Sequence, residues 1–222
     1  MSIADFDLQK FLDTPIEAFD FQFMIGDVKD FLEFSESNID WQYRRELQAI
    51  AHGKDYDEFP PDYRHHLEQN AEHRFKVSLP LRFRYGAVLA FTTSVEWAIG
   101  YLNKCAASPV PDLRYGTNLT VKILRDFSDR ASVDSGAVID DYEALVQIRN
   151  CIVHSAGIVE TYRFKNDLPA AISRIDGITL ANWHFFGDQV CIERGAFEPH
   201  IDRAAELVVI LNSALRERGL LK

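Results

Sequence analysis

The sequence predicts an all-α fold, an antiparallel helical bundle with one small β-hairpin before its C-terminal helix. Three observations carry this. Apolar residues recur at helical spacing through most of the 222 residues. Only the stretch from about 178 to 192 alternates apolar with polar or small residues, the period of two that a strand requires. Hydrophobic residues make up 47% of the chain, enough to fill one sizeable core.

Residues 15–37 and 40–52 read as two helices, with Ser37-Asn38 as the break between them. Phe59-Pro60-Pro61 reads as a loop whose prolines can start a helix over about 61–76. Ser78-Leu79-Pro80 is a second stop, ahead of the longest helical run, about 81–104. That run holds Tyr85, Val88, Leu89, Phe91, Val95, Trp97, Ala98, Tyr101 and Leu102, and a helix apolar on most sides is a central, buried one. A loop over 107–117 precedes an amphipathic helix over 118–130, and another helix is predicted over 137–156. Ile178 with Leu180 and Val190 with Ile192 mark two strands, joined by a wide loop over Trp183–Asp188. The last helix, about 199–217, has Pro199 in its first turn, the stripe Ile201, Ala204, Ala205, Val208, Leu211 and Leu215, and Gly219 as its stop. The expected division is an acidic N-terminal helical segment, 1–78, packed on a bundle formed by 79–222.

The net charge of −10 is uneven. Residues 1–60 hold 14 acidic and 5 basic side chains, and the remainder is nearly balanced at 20 and 19. The bulk field therefore opposes non-specific nucleic-acid binding, which depends on phosphate neutralisation. Any nucleic acid has to be held in a local pocket or by a dimer that concentrates basic groups. The acidic segment reads as a solvated face, or else as a cover over a basic cleft. Cys105, Cys151 and Cys191 are odd in number and far apart, which argues against a disulfide framework or zinc knuckle and for a reducing cytoplasm. The opening MSIADFDLQK has neither the basic nor the apolar region of a secretory leader. Charge interrupts every apolar stretch well short of the ~20 residues that span a bilayer.

No glycine-rich phosphate loop, HExxH or GxSxG occurs. In YRHHLEQNAEHRF, His66 and His73 lie two helical turns and roughly 10 Å apart, too far to share one ion. His65 with Glu68 or Glu72 is a weak alternative, and a solvated charged helix fits better. Neither a metal nor a cofactor is expected. Trp183, His184, Phe185 and Phe186 form an aromatic hairpin tip, suited to packing against the last helix or to stacking on bases.

The stretch IRNCIVHSAG, residues 148–157, concentrates the polar chemistry. At about 100° per residue, Ile148 and Ile152 lie within about 60° of Leu145, with Tyr142, Val146 and Val153 within about 100°. Glu143, Gln147, Asn150 and His154 share the opposite side. Cys151 falls at the edge of the apolar sector, where core packing suits it. Arg149 falls inside that sector. It must snorkel, pair with a buried acid or lie at an interface, because an unpaired buried guanidinium is too costly. Glu96 is the only carboxylate between residues 81 and 104 and is the expected partner. Gly157 looks like the residue that ends the helix, which leaves His154 in the last turn, where a cation favours the helix dipole.

RNCIVH resembles the R-N-x-x-x-H signature of the HEPN superfamily, and the upstream acid in SVEW resembles the inward acid of that family's earlier long helix. The likeness covers about residues 79–218. It implies a helical bundle that forms a homodimer, with two motif copies across a shared cleft. It further implies a metal-independent endoribonuclease acting as a toxin, an anti-phage defence factor or an RNA-processing enzyme. Arg149, Asn150 and His154 would be its active residues, supported by Glu96, with RNA as substrate and an antitoxin or other regulator as a possible partner. One toxin branch extends the signature to His-x-Tyr, whereas this chain runs His154-Ser155-Ala156. The alternatives are a non-catalytic HEPN-like module that binds RNA, nucleotide or a protein, and a purely structural bundle.

Overall fold

The computed structural model describes residues 16–53, 61–111, 118–184 and 187–221. In chain order these form α1 (Ile16–His52), α2 (Pro61–His73), a π-helical turn (Arg74–Ser78) and α3 (Leu79–Cys105). There follow α4 (Leu119–Ala131), α5 (Gly136–Ser155), α6 (Leu168–Arg174), β1 (Ile178–His184), β2 (Gly187–Ile192) and α7 (Glu198–Glu217). This is the all-α bundle with one antiparallel hairpin before the last helix that the sequence predicts. No helix among the described residues is long and apolar enough to cross a membrane.

The apolar density of α3 puts it at the centre, packed against α1, α4, α5 and α7. Its Ala87, Val88, Phe91 and Ile99 are fully buried. They meet Phe21 and Leu32 of α1, Phe127 of α4, Leu145 and Ile148 of α5, and Ile201 and Leu211 of α7. A second, smaller cluster joins Ile39 and Ile50 of α1 to Ala71 of α2 and Phe75 of the π turn.

Two expected helix breaks are absent. α1 runs through Ser37-Asn38 as one helix. Ser35, Glu36 and Ile39 around that point are buried, and Arg84 Nε of α3 donates to Glu36 Oε1 at 2.9 Å. Tertiary contacts override the weak helix propensity of serine and asparagine. Nor does Pro80 end a helix. The Leu79 N–H reaches Arg74 O across the π turn, and this wider turn opens room for the pyrrolidine ring that a regular α-helical turn would deny it. The backbone therefore stays helical from Pro61 to Cys105.

Smaller differences follow the same logic. The short helix α6 is absent from the sequence reading, because seven residues carry too few turns to show a period. Val153, placed in the apolar sector, is 48% exposed in the last turn of α5. Cys151 is fully buried, and burial pushes its thiol up to about 11, which keeps it protonated and unreactive near neutral pH. The hairpin pairs as far as His184 with Gly187, with an irregularity between Asn182 and His184, so the strands extend into the stretch expected as a wide loop. Phe185, Phe186 and the side chains of Trp183 and His184 lie outside the described residues.

The end of α5 is clamped. Ala156 and Gly157 both take left-handed backbone, at φ 53° and 81°, and Gly157 N–H donates to Cys151 O. Tyr85 of α3 presses against Gly157, where a Cβ would lie 2.1 Å from the Tyr85 hydroxyl oxygen. That hydroxyl donates to Val190 O of β2. Val190 N–H donates to Gly157 O at 2.9 Å, and Gln189 Nε2 donates to Ala156 O at 3.1 Å.

Asp141 anchors the other end of α5. It accepts from Arg174 Nε of α6 at 2.8 Å and lies 3.1 Å from Arg203 Nη2 and 3.2 Å from His200 Nδ1, both on α7. Arg203 Nη2 is also 2.9 Å from His200 Nδ1, an arrangement that suits a neutral imidazole accepting there. Burial first, then the Arg203 charge, holds His200 below its usual range, against the pull of Asp141.

Two expectations follow. Gly157→Ala adds a clash to a strained φ, so it should cost about 2 kcal/mol or more. Thermal unfolding followed by circular dichroism should show a fall in Tm of roughly 4–8 °C for a chain of this length. His200 is depressed in the folded state, so the unfolded chain takes up its proton first as pH falls through the unfolded value. Stability should drop as pH falls through the usual histidine range. The drop should be smaller in His200→Asn, measured by the same unfolding experiment.

Candidate functional site

The polar chemistry of α5 opens into a cleft of about 710 Å³ between α3, α4, α5 and the segment that follows α5. Arg149 Nη2 lies 3.5 Å from Glu96 Oε2 of α3, so the expected ion pair is present. Its distance makes it mainly Coulombic rather than a well-formed hydrogen bond. The arginine is half-buried rather than inside the core. Its side chain is 26% exposed and that of Glu96 is 34% exposed. Beneath them, burial and then the Glu96 carboxylate push the Tyr142 phenol well above its usual range, so it stays neutral. Tyr142 Oη donates to Thr92 O at 3.4 Å.

Asn150 turns to Arg149, with Nη1 donating to Asn150 Oδ1 at 3.0 Å. That oxygen thus serves the arginine, not the imidazole one turn on. Glu96, Arg149 and Asn150 all line the cleft. His154 does not. It is exposed in the last turn of α5, on the surface beyond the cleft.

The cleft contains donors that lack acceptors. Asn118 caps α4, its Oδ1 accepting from Val121 N–H at 3.4 Å. Its buried Nδ2 has no hydrogen-bond partner among the described residues, and neither does the buried Nε of Arg149. Both residues line the cleft, and so do Leu119 and Thr120 in the first turn of α4, whose helix dipole favours negative charge. Two unpartnered donors and a helix N-terminus form a seat for an anion or a strong acceptor.

Carboxylates line the same walls. Glu143 is held by Arg125 Nη2 at 2.7 Å, and Glu96 faces Arg149. Tyr162 and Phe164 close the far side as an edge-to-face pair with centroids 6.0 Å apart. Phe164 is 54% exposed, and Arg163 sits 5.3 Å from its ring centre. With exposed Lys165, this makes a basic and aromatic rim.

The sequence reading missed Asn118, Tyr162, Phe164 and Asp167. Asn118 carried a signal, an asparagine directly before a helix. The other three stand on an irregular segment where no period exists to be read. The histidines of α2 are exposed, and His65 Nε2 lies 2.9 Å from Gln69 Nε2. No group of three or more metal-ligating side chains gathers among the described residues.

No protein-family model matches the chain, and comparisons with curated proteins and with solved structures find no similar one.

A half-exposed ion pair at 3.5 Å contributes little to stability. A double-mutant cycle over Glu96→Gln and Arg149→Gln, read by chemical unfolding, should give a coupling below about 1 kcal/mol. A coupling of several kcal/mol would make the pair a structural anchor instead.

Proposed function

We propose that this chain is a metal-independent endoribonuclease of HEPN type, working as a homodimer in the cytoplasm as a toxin or anti-phage factor. The observation that carries the reading is the cleft in which Glu96, Arg149 and Asn150 meet unpartnered buried donors and an exposed aromatic. Glu96 holds the guanidinium of Arg149 on the cleft wall. From there it can meet the two non-bridging oxygens of a phosphodiester, whose charge grows as a pentacoordinate phosphorane forms. Phe164 offers a face for an unstacked base, with Arg163 and Lys165 near the backbone.

The chemistry assigned to His154 is proton transfer. The 2′-hydroxyl loses its proton to an imidazole and its oxygen bonds to the adjacent phosphorus. The bond from phosphorus to the 5′-oxygen breaks, and that oxygen takes a proton from a second imidazole. The products are a 2′,3′-cyclic phosphate and a 5′-hydroxyl, with no metal and no added water in this step. The exposed position of His154 suits a site completed by a second copy, which would bring the second imidazole. An antitoxin or other regulator would act by covering this surface.

The same position of His154 favours a second reading, a module that binds RNA or nucleotide without cutting it. The two separate in one experiment. Single-stranded RNA is incubated with the protein in EDTA, and ends and affinities are measured. Cleavage is expected, with cyclic phosphate ends. His154→Ala should slow it by about 100-fold or more while binding RNA nearly as well. Arg149→Ala should weaken both. Binding that is lost in Arg149→Ala, without any cleavage by the wild type, would establish the binding module. Wild-type cleavage rates in His154→Ala would overturn the catalytic assignment.

A further inference from the structure

The charge inside the cleft is not that of a simple phosphate groove. Its walls carry three carboxylates, Glu96, Glu143 and Asp167, against one guanidinium, Arg149. The exposed Arg163 and Lys165 stand on the rim, so a phosphodiester suits the mouth better than the interior. The interior calls for a neutral group that donates to carboxylates and accepts from an amide. A nucleobase is such a group, and single-stranded RNA is read by the edges of its unstacked bases.

Two side chains select the edge. Asp167 directly precedes α6, yet its carboxylate does not cap that helix. Glu96 and Glu143 face Arg149 and Arg125, whereas the Asp167 carboxylate has no ion-pair or hydrogen-bond partner among the described residues. It lines the cleft all the same. The three acids do not gather into a group that could hold a metal ion. The second side chain is Asn118. Its Oδ1 is committed to the α4 cap, which fixes the amide and leaves Nδ2 over. That buried Nδ2 lacks a partner among the described residues, a cost that a base carbonyl would relieve. The wall thus presents a carboxylate that only accepts and an amide nitrogen that only donates.

Guanine answers both. Its N1–H and 2-amino group are adjacent donors, spaced for the two oxygens of one carboxylate, and O6 is the acceptor beside them. Adenine and cytosine each set a ring-nitrogen acceptor next to the amino group, where it would face the carboxylate. Uracil sets two carbonyls about a single N–H. We propose that the cleft selects guanine, with Asp167 accepting from N1–H and the 2-amino group and Asn118 Nδ2 donating to O6. This rests on the reading of the cleft as an RNA site, but not on the proton transfer assigned to His154.

Calorimetric titration of the full chain with the four ribonucleoside 3′-monophosphates, over roughly 1 µM–1 mM, tests it. Guanosine 3′-monophosphate should bind at least about tenfold tighter than the uridine nucleotide. Inosine 3′-monophosphate, which lacks the 2-amino group, should lose most of that advantage. Asp167→Asn and Asn118→Asp should each bring guanosine binding down to the uridine level and leave uridine binding unchanged. Asp167 is exposed and caps nothing, and an aspartate at 118 keeps the cap oxygen, so both variants should retain the wild-type circular dichroism. The wild-type series decides the base even where a variant fails to fold. Equal affinity for the four nucleotides, no binding of any of them, or an undiminished guanosine preference in both variants overturns the proposal. Guanosine preference without any RNA cleavage overturns the nuclease reading alone. Cleavage in EDTA with no base preference at the cut overturns the guanine site alone.

Discussion

Two adjacent residues of α3, Arg84 and Tyr85, hold together parts of the chain that are distant in sequence. Arg84 reaches Glu36 of α1 and, through Nη1, the carbonyl of Ile192 at the end of β2 at 2.8 Å. Tyr85 donates to Val190 O and fills the space left by the missing side chain of Gly157. A two-stranded hairpin is not stable on its own in water. Here it is fastened to the bundle at two carbonyls of one strand, and its return bonds fix the chain leaving α5. The exit from α5 sets the course of the segment bearing Tyr162 and Phe164. The far wall of the cleft is thus placed by a contact at the C-terminal end of the motif helix.

The cleft differs in kind from the core beneath it. Within that core, Thr92 is satisfied, its hydroxyl donating to Val88 O at 2.9 Å. In the cleft, Arg149 Nε and Asn118 Nδ2 are buried without partners among the described residues, a cost that a ligand's acceptor atoms would relieve. The ion pair between Arg149 and Glu96 is too exposed to add much stability, so its consequence is orientation of the guanidinium. Asp141 makes the contrast clear. It is more buried, gathers Arg174, Arg203 and His200, and ties α5 to α6 and α7. One end of α5 is thereby anchored by charge, the other by the glycine clamp, and the cleft residues lie between.

The helical elements were legible wherever a long apolar period ran, as in α3 and α7. The pairing of Arg149 with Glu96 was legible from angle and from scarcity, since one arginine fell among apolar residues and one acid fell in the facing helix. Punctuation was less reliable. Ser37-Asn38 and Pro80 are local stop signals that packing and a π turn overrode. The remainder of the cleft was not legible. Tyr162, Phe164 and Asp167 reach it from a segment without a period, and His154 lies one turn past the last α5 residue that lines it.

The amino-acid sequence by itself determined the fold class, the central place of α3, the burial of Cys151 and the need of Arg149 for a partner. These follow from periodicity and from the cost of burying charge, both local properties of the chain. Only the tertiary structure decided that Asn150 serves Arg149, that His154 stands outside the cleft, and that an aromatic pair and a helix cap complete its walls. Those outcomes depend on how separate segments meet in space. The meeting is governed by a few long-range contacts, foremost Tyr85 against Gly157, whose geometry no pattern along the chain encodes.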